Sequence, residues 1–381
     1  MAMIRKASNI RKKLHMLVYG EQGTGKSRLA MQLCYLKNAD GRPFRVLYLD
    51  TENGSIDNYT EELVDNGVNP ENLLVVYTQS LAEVQDYIKM VANNEDFEDE
   101  DGNVILDADS KPFRVDALVI DSASILKLST QQGLVSFSQK RAKVKATAQG
   151  LTGDEKAVKI EGAGMELKDF NTLNFKGQSL ILDLNASGVN YIVVCREKDE
   201  KRTKVVNGSI ASEATGRKIP DGFTGQEYNV DTEFRLYVQD GQPLAYFDKD
   251  RTGVHKGGEV VEDLTLLQYQ DVITNSAKNK EFIIKNGLND AVNTELKLSM
   301  RDLGIDDDEP ETKASNKSDS SEPTVESIRA KLNDMISKAS PIKKNNAINA
   351  LKEAGLPTAF RSMTDIEKLK KVAAVMEKEL A

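Results

Sequence analysis

The sequence predicts an α/β fold: a mostly parallel central sheet that ends in an antiparallel hairpin, followed by a small C-terminal helical domain. Three observations carry this. Short apolar runs recur at residues 14–19, 44–49, 73–76, 117–120, 191–194, 232–238 and 244–247, with helical stretches between several of them. That alternation places helices on the faces of a parallel sheet. Runs such as Ala117-Leu118-Val119-Ile120 are apolar without a break, as a strand buried on both faces should be. The last two runs flank Asp240-Gly241-Gln242-Pro243, a hairpin signal, so the sheet is expected to end antiparallel.

The first run breaks into Gly20-Glu21-Gln22-Gly23-Thr24-Gly25-Lys26-Ser27, the pattern G-x-x-x-x-G-K-S between a strand and a helix. The glycines let backbone N–H groups converge on one point, a cradle for phosphates. Lys26 is expected to reach the β- and γ-phosphates and the Ser27 hydroxyl to ligate Mg²⁺. These eight residues and the following Arg28 are the candidates for nucleotide binding.

A phosphate loop alone only binds. Hydrolysis also needs an acid that holds Mg²⁺ and a group that aligns or deprotonates water. The fourth run ends in Asp121, which puts a carboxylate at the sheet edge beside the phosphates. Asp121 is therefore the Walker B candidate, ligating Mg²⁺ together with Ser27. The second run ends in Asp50-Thr51-Glu52, and Glu52 is the candidate general base; the plainer alternative is that both acids cap the following turn. Position 122 is Ser, so the AAA+ and helicase classes with a base directly after the Walker B acid fit poorly. No N-K-x-D follows the late strand, where Arg196-Glu197-Lys198-Asp199-Glu200 stands, so ATP is preferred to GTP. A small-molecule kinase is disfavoured, because no lid-like Arg cluster is evident and Glu52 suits water better than an alcohol.

The set G-x-x-x-x-G-K-S, D-T-E and L-V-I-D-S resembles the RecA-like P-loop ATPase core across about residues 10–255. Within that group the chain is similar to phage-encoded Sak-type single-strand annealing and recombination ATPases. This rests on Val193-Val194-Cys195-Arg196-Glu197-Lys198, on the segment 220–231 from Pro220 to Asp231, and on Lys249-Asp250-Arg251-Thr252-Gly253. The resemblance implies a homo-oligomer, ring or filament, with ATP bound between neighbouring subunits. Lys249 and Arg251 then stand where trans-acting cations complete the catalytic set with Glu52 and Lys26, and Arg196 becomes a sensor of the γ-phosphate. It also implies that the loop 198–218, with Lys201, Arg202, Lys204, Arg217 and Lys218 among Gly, Ser and Thr, contacts single-stranded DNA. A second basic run, Lys140, Arg141, Lys143 and Lys145, lies in an insertion after Asp121. Cations with small flexible residues suit a phosphate backbone, although such runs are most often solvated faces and no aromatic lies between Lys198 and Lys218.

The chain of 381 residues is 39% hydrophobic and 29% charged, with a net charge of −9. Such a composition is that of a soluble globular protein. It has no apolar stretch of spanning length and no secretory h-region, which points to the cytoplasm, here of a bacterial host, and away from membranes. Cys34 and Cys195 lie far apart in apolar segments, as reduced core residues do. With two His and no ligand spacing, a zinc site is not expected.

The expected organisation is a RecA-like ATPase core at 1–262, a helical extension at 263–304, a disordered acidic and Ser-rich linker at 305–324 and a small helical domain at 325–381. Residues 94–114 form an acidic turn-rich insertion, expected to be a solvated hairpin. Ile328, Leu332, Met335 and Ile336 share one helical face, and Pro341, Gly355-Leu356-Pro357 and Met363-Thr364-Asp365 divide the tail into about three helices. Residues 326–381 carry 11 Lys and Arg against 7 Asp and Glu, a charge of +4, leaving −13 for the rest. A basic module on an acidic tether suits a protein partner or a nucleic acid. The function expected is an ATP-binding and -hydrolysing protein acting on single-stranded DNA in phage recombination, annealing or replication. The alternative is a nucleotide-switched assembly ATPase that docks a protein partner and does not bind DNA.

Overall fold

A computed structural model of the chain describes residues 12–206, 209–276, 285–302, 328, 331–332, 347, 350–351, 354–357 and 366–380. It divides into two compact units, 1–96 with 106–291 and 97–105 with 292–381.

The first unit is built on a twisted sheet of nine strands: β1 (His15–Gly20), β2 (Val46–Asp50), β3 (Leu73–Tyr77), β4 (Ala117–Asp121), β5 (Asn190–Val206), β6 (Ser209–Pro220), β7 (Thr232–Gln239), β8 (Gln242–Asp250) and β9 (Val260–Glu262). Their order is β3-β2-β4-β5-β1-β7-β8-β9, with β6 paired to β5 alone. Strands from β3 to β7 along that path run parallel, and β8 and β9 antiparallel. All seven apolar runs are strands, and the sheet ends antiparallel as expected. The central strands carry unbroken apolar stretches because both their faces are covered: every residue of β2 and β4 is buried.

The parallel register brings the ends of four strands to one edge. Asp50 pairs with Asp121 across β2 and β4, and Gly20 pairs with Arg196 across β1 and β5. After β1 the chain crosses to β2 on one side, while β7 lies on the other, so a crevice opens at the carboxyl end of β1.

The segment 198–218 departs from expectation. It is not an irregular loop but a two-stranded antiparallel ribbon, in which β5 runs on past the sheet and β6 returns, pairing Val206 with Ser209 and Glu197 with Pro220. The β-branched residues Thr203, Val205, Val206 and Ile210 favour strand, and Asn207-Gly208 between the two strands is a two-residue hairpin signal.

The helices of this unit are α1 (Lys26–Met31), α2 (Thr60–Asp65), α3 (Leu81–Ala92), α4 (Ala123–Ala148), α5 (Gly153–Glu161), α6 (Leu167–Ala186), α7 (Gln226–Asn229) and α8 (Gln270–Ser276). In α3, Ser80 accepts from the Glu83 N–H as N-cap, and Leu81, Val84, Ile88 and Val91 bury one stripe. The core on one face of the sheet takes in Met16, Val18, Tyr48, Val119, Ile192 and Phe234, and also Leu266, Tyr269 and Ile273. Residues 263–276 are therefore part of the core, and the boundary expected at 262 is not one: these apolar positions face strands rather than solvent. The acidic insertion 94–114 folds into short bridged turns, Glu98 to Val104 and Leu106 to Pro112. Its Asp107 is buried and ion-paired with Arg45 at 2.8 Å.

The second unit includes residues 292–302 of α9 (Leu288–Asp302) and all of α10 (Ile366–Leu380). Ile328, Leu332, Ala347, Leu351, Leu369, Val372, Ala373 and Met376 form a small core, so the face begun by Ile328 and Leu332 is buried. Met335, Ile336, Pro341, residues 363–365 and the linker 305–324 lie outside the described residues. Among the described residues no helix is long and apolar enough to cross a membrane. Cys34 and Cys195 are buried and form no disulfide.

Candidate nucleotide-binding site

The loop after β1 is shaped by its glycines. A Cβ on Gly20 would lie 2.1 Å from the Leu236 carbonyl oxygen, so β7 packs against bare backbone there. Gly23 and Gly25 have φ of 77° and 84°, values that L side chains rarely adopt. The loop borders a cavity of about 610 Å³ lined among others by Lys26, Ser27, Glu52, Asp121, Arg196 and Lys218, large enough for a nucleotide's phosphates. Glu21, Gln22, Gly23 and Gly25 line it as well. Thr24 turns its hydroxyl back to the Glu21 carbonyl. Lys26 donates to the same carbonyl, and burial pulls its ammonium below the ordinary lysine value. Arg28 points away, paired with Glu62 at 2.8 Å.

Ser27 Oγ donates to Asp121 Oδ2 at 2.6 Å. Tyr48 Oη donates to the same oxygen at 2.6 Å and Ser55 Oγ at 3.3 Å. Asp121 is 2% exposed, and burial raises its pKa despite these donors. A carboxylate and a hydroxyl on one side of a phosphate cradle are the hard oxygen donors that Mg²⁺ takes alongside phosphate, so Ser27 and Asp121 fit the ion.

The two acids after β2 separate. Asp50 is fully buried and accepts from the backbone N–H groups of Glu52 at 2.8 Å, Gly54 at 2.8 Å and Ser55 at 2.9 Å. It holds the turn. Glu52 instead turns into the cavity, where Oε1 accepts from Ser122 Oγ at 2.8 Å and from Arg196 Nη2 at 3.1 Å. Thr51 ties this turn to β4, its Oγ1 accepting from the Ser122 N–H at 2.7 Å.

Lys249 and Arg251 stand elsewhere. Thr232 pairs with both Met16 and Asp250, so these cations lie level with the start of β1, about 13 Å of strand from Gly20. Neither lines the cavity. Lys249 donates to the Glu227 carbonyl, and Arg251 sits 3.8 Å from Asp231.

The basic residues divide into several settings. Lys201, Arg202 and Lys204 are exposed on the ribbon. Arg217 pairs with Asp248 at 3.0 Å, while Lys218 stands in the cavity itself. The other run lies on α4, where Lys140, Lys143 and Lys145 are exposed and Arg141 is locked to Asp169.

A smaller cavity of about 270 Å³ adjoins the other side of the loop, lined by Thr24, Leu29, Leu236, Leu244, Asp263 and Leu264 among others. The contacts of Tyr48 and Ser55 with Asp121, and of Ser122 with Glu52, are not evident from the sequence. They follow from β2 and β4 lying side by side, which no local motif encodes.

The profile of the family described as AAA domain matches residues 12–221. No curated protein matches the chain. Similar solved structures include the RadB recombinase, at 14% identity over 65% of this chain and 84% of that one with a TM-score of 0.34. Another is a KaiC-like protein from Pyrococcus horikoshii, at 15% identity over 68% and 94% with a TM-score of 0.35. Position 122 carries Ser, whose Oγ reaches Glu52 from the neighbouring strand.

Proposed function

The chain belongs to the AAA domain family, and from that premise we propose that it is a RecA-like ATPase that hydrolyses ATP and acts on single-stranded DNA. One observation carries the hydrolytic part: a hydroxyl and acid suited to Mg²⁺, Ser27 and Asp121, share a cavity with a second carboxylate, Glu52, held by its own donors. Lys26 and the loop N–H groups bind the β- and γ-phosphates. Mg²⁺, when bound, neutralises phosphate charge. Glu52 accepts the proton of the attacking water, and Arg196 releases Glu52 to meet the γ-phosphate. The apolar wall of the smaller cavity, whose lining includes Asp263, receives the adenine base.

Lys249 and Arg251, remote from the cavity of their own chain, reach the phosphates held by a neighbouring copy in a ring or filament, where they stabilise charge on the departing phosphoryl group. The exposed cations Lys201, Arg202 and Lys204 of the ribbon, with Lys140, Lys143 and Lys145 of α4, contact the DNA backbone. The activity belongs to recombination, annealing or replication of the Sak type, in the cytoplasm of a phage-infected bacterium, with the C-terminal unit docking a protein partner.

A second reading, a nucleotide-switched assembly ATPase, draws on exposed Phe137 and Val144 of α4 and Phe170 of α6, apolar groups that suit a protein surface better than a phosphate backbone. Fluorescence anisotropy with a labelled oligonucleotide at low salt decides between them. Binding that strengthens with ATP and weakens steeply with salt supports the DNA reading. No binding in either nucleotide state overturns it and leaves the assembly reading.

A further inference from the structure

We propose that Lys218, on the returning strand of the β5–β6 ribbon, is a binding residue for the terminal phosphate of the nucleotide, so that the ribbon is clamped by the triphosphate through both of its strands. The inference rests on the nucleotide reading above and assigns one more residue to the same cavity.

The pairing geometry places it there. β5 leaves the sheet beside the phosphate loop, because Gly20 pairs with Arg196. β6 comes back at the same level, with Lys218 opposite Asp199 and Pro220 opposite Glu197. Arg196 and Lys218, one from each strand, thus enter the cavity together with Glu52, Lys26 and Ser27. The Lys218 backbone lies against β1: its carbonyl oxygen is 3.3 Å from Tyr19 Oη, whose proton is donated to Asp248 Oδ2 at 2.6 Å. Tyr19 directly precedes Gly20, so the base of the ribbon and the start of the loop are held as one piece.

The Lys218 ammonium has a resting place and a reason to leave it. It lies 3.0 Å from Asp199 and 3.7 Å from Glu197. Glu197 is already satisfied by Arg235, at 2.7 Å and 3.2 Å. Asp199 is half exposed, and an exposed pair of this kind is weak. A triphosphate in the cavity offers more negative charge than Asp199 does. A diphosphate lacks the terminal group, and Lys218 stays with Asp199. Whatever the ribbon binds is then coupled to nucleotide state, with equal and reciprocal effects on the two affinities.

The test is the affinity of the full chain for fluorescent ATP and ADP analogues, measured for the native protein, Lys218→Ala, Lys218→Arg and Asp199→Asn. Lys218→Ala is expected to weaken the triphosphate about tenfold and leave the diphosphate within twofold. Lys218→Arg restores most of the difference. Asp199→Asn, which frees the ammonium, tightens the triphosphate. An unchanged ATP-to-ADP ratio in Lys218→Ala, or an equal loss for both nucleotides, overturns the proposal. Failure of the nucleotide reading itself looks different: the native protein then binds neither analogue, and Lys26→Ala changes nothing.

Discussion

Ser122 Oγ donates a 2.8 Å hydrogen bond to Glu52 Oε1, joining the first residue after β4 to the acid after β2. The same carboxylate oxygen accepts from Arg196 at 3.1 Å. Glu52 is thereby aimed into the cavity by two donors from two neighbouring strands, while Asp50 is consumed by the turn. Ser122→Ala removes one of those donors without touching the phosphates. It should lower kcat for ATP about tenfold with KM within twofold, as read by steady-state phosphate release. A change in KM alone would count against a positioning role.

Gly20→Ala tests the loop's attachment to β7. The added Cβ would lie 2.1 Å from the Leu236 oxygen, and neither strand can move without breaking its pairing. The variant should lose more than about 2 kcal/mol of stability, seen as a fall in Tm of several degrees, together with weakened nucleotide binding.

Glu233 gives the protein a pH dependence. It is 7% exposed on β7, and burial, then the nearby Asp248 carboxylate, pushes its pKa from the ordinary 4.5 up to about 7; Glu227 acts in the same direction, against Lys249 and Arg217. The folded chain therefore holds this proton more tightly than the unfolded one. Stability contributed by the protonated acid is full below pH 4.5 and is lost as pH rises towards 7, by about 3 kcal/mol at most. Glu233→Gln should flatten that stretch of the curve and raise Tm at pH 8 in thermal melts. An unchanged difference in Tm between pH 5 and pH 8 would refute it.

The ribbon cations are testable by salt. Replacing Lys201, Arg202 and Lys204 with Ser should weaken oligonucleotide binding regardless of base sequence. It should also reduce the slope of log K against log salt by about 2, since each phosphate contact on a single strand contributes about 0.7. An unaltered slope would place the DNA contact elsewhere, with α4 the next region to test.

Much of this architecture is legible in the sequence because the chemistry leaves few choices. Strands covered on both faces must be apolar throughout, so β2 and β4 stand out. A phosphate cradle needs Gly20, Gly23 and Gly25 followed by Lys26 and Ser27, and Asp121 follows from an apolar strand that ends in an acid. What escapes depends on which strands become neighbours. Tyr48 and Ser55 reach Asp121 only because β2 lies beside β4. Lys218 reaches the cavity only because β6 pairs back along β5. In the ribbon, the density of charge hid the strand signal of Thr203, Val205 and Val206 before Asn207-Gly208. Leu266, Tyr269 and Ile273 look like the start of a separate helical piece until their burial against the sheet is seen.

In the proposed mechanism Glu52 activates water against a triphosphate held by Lys26, Ser27 and Asp121. The most direct measurement follows radiolabelled ATP with purified protein and Mg²⁺, scoring bound nucleotide and released phosphate for the native chain and for Glu52→Gln. The variant should bind ATP within a few-fold of native and release phosphate at least about 100-fold more slowly. Native-like release by Glu52→Gln would contradict it.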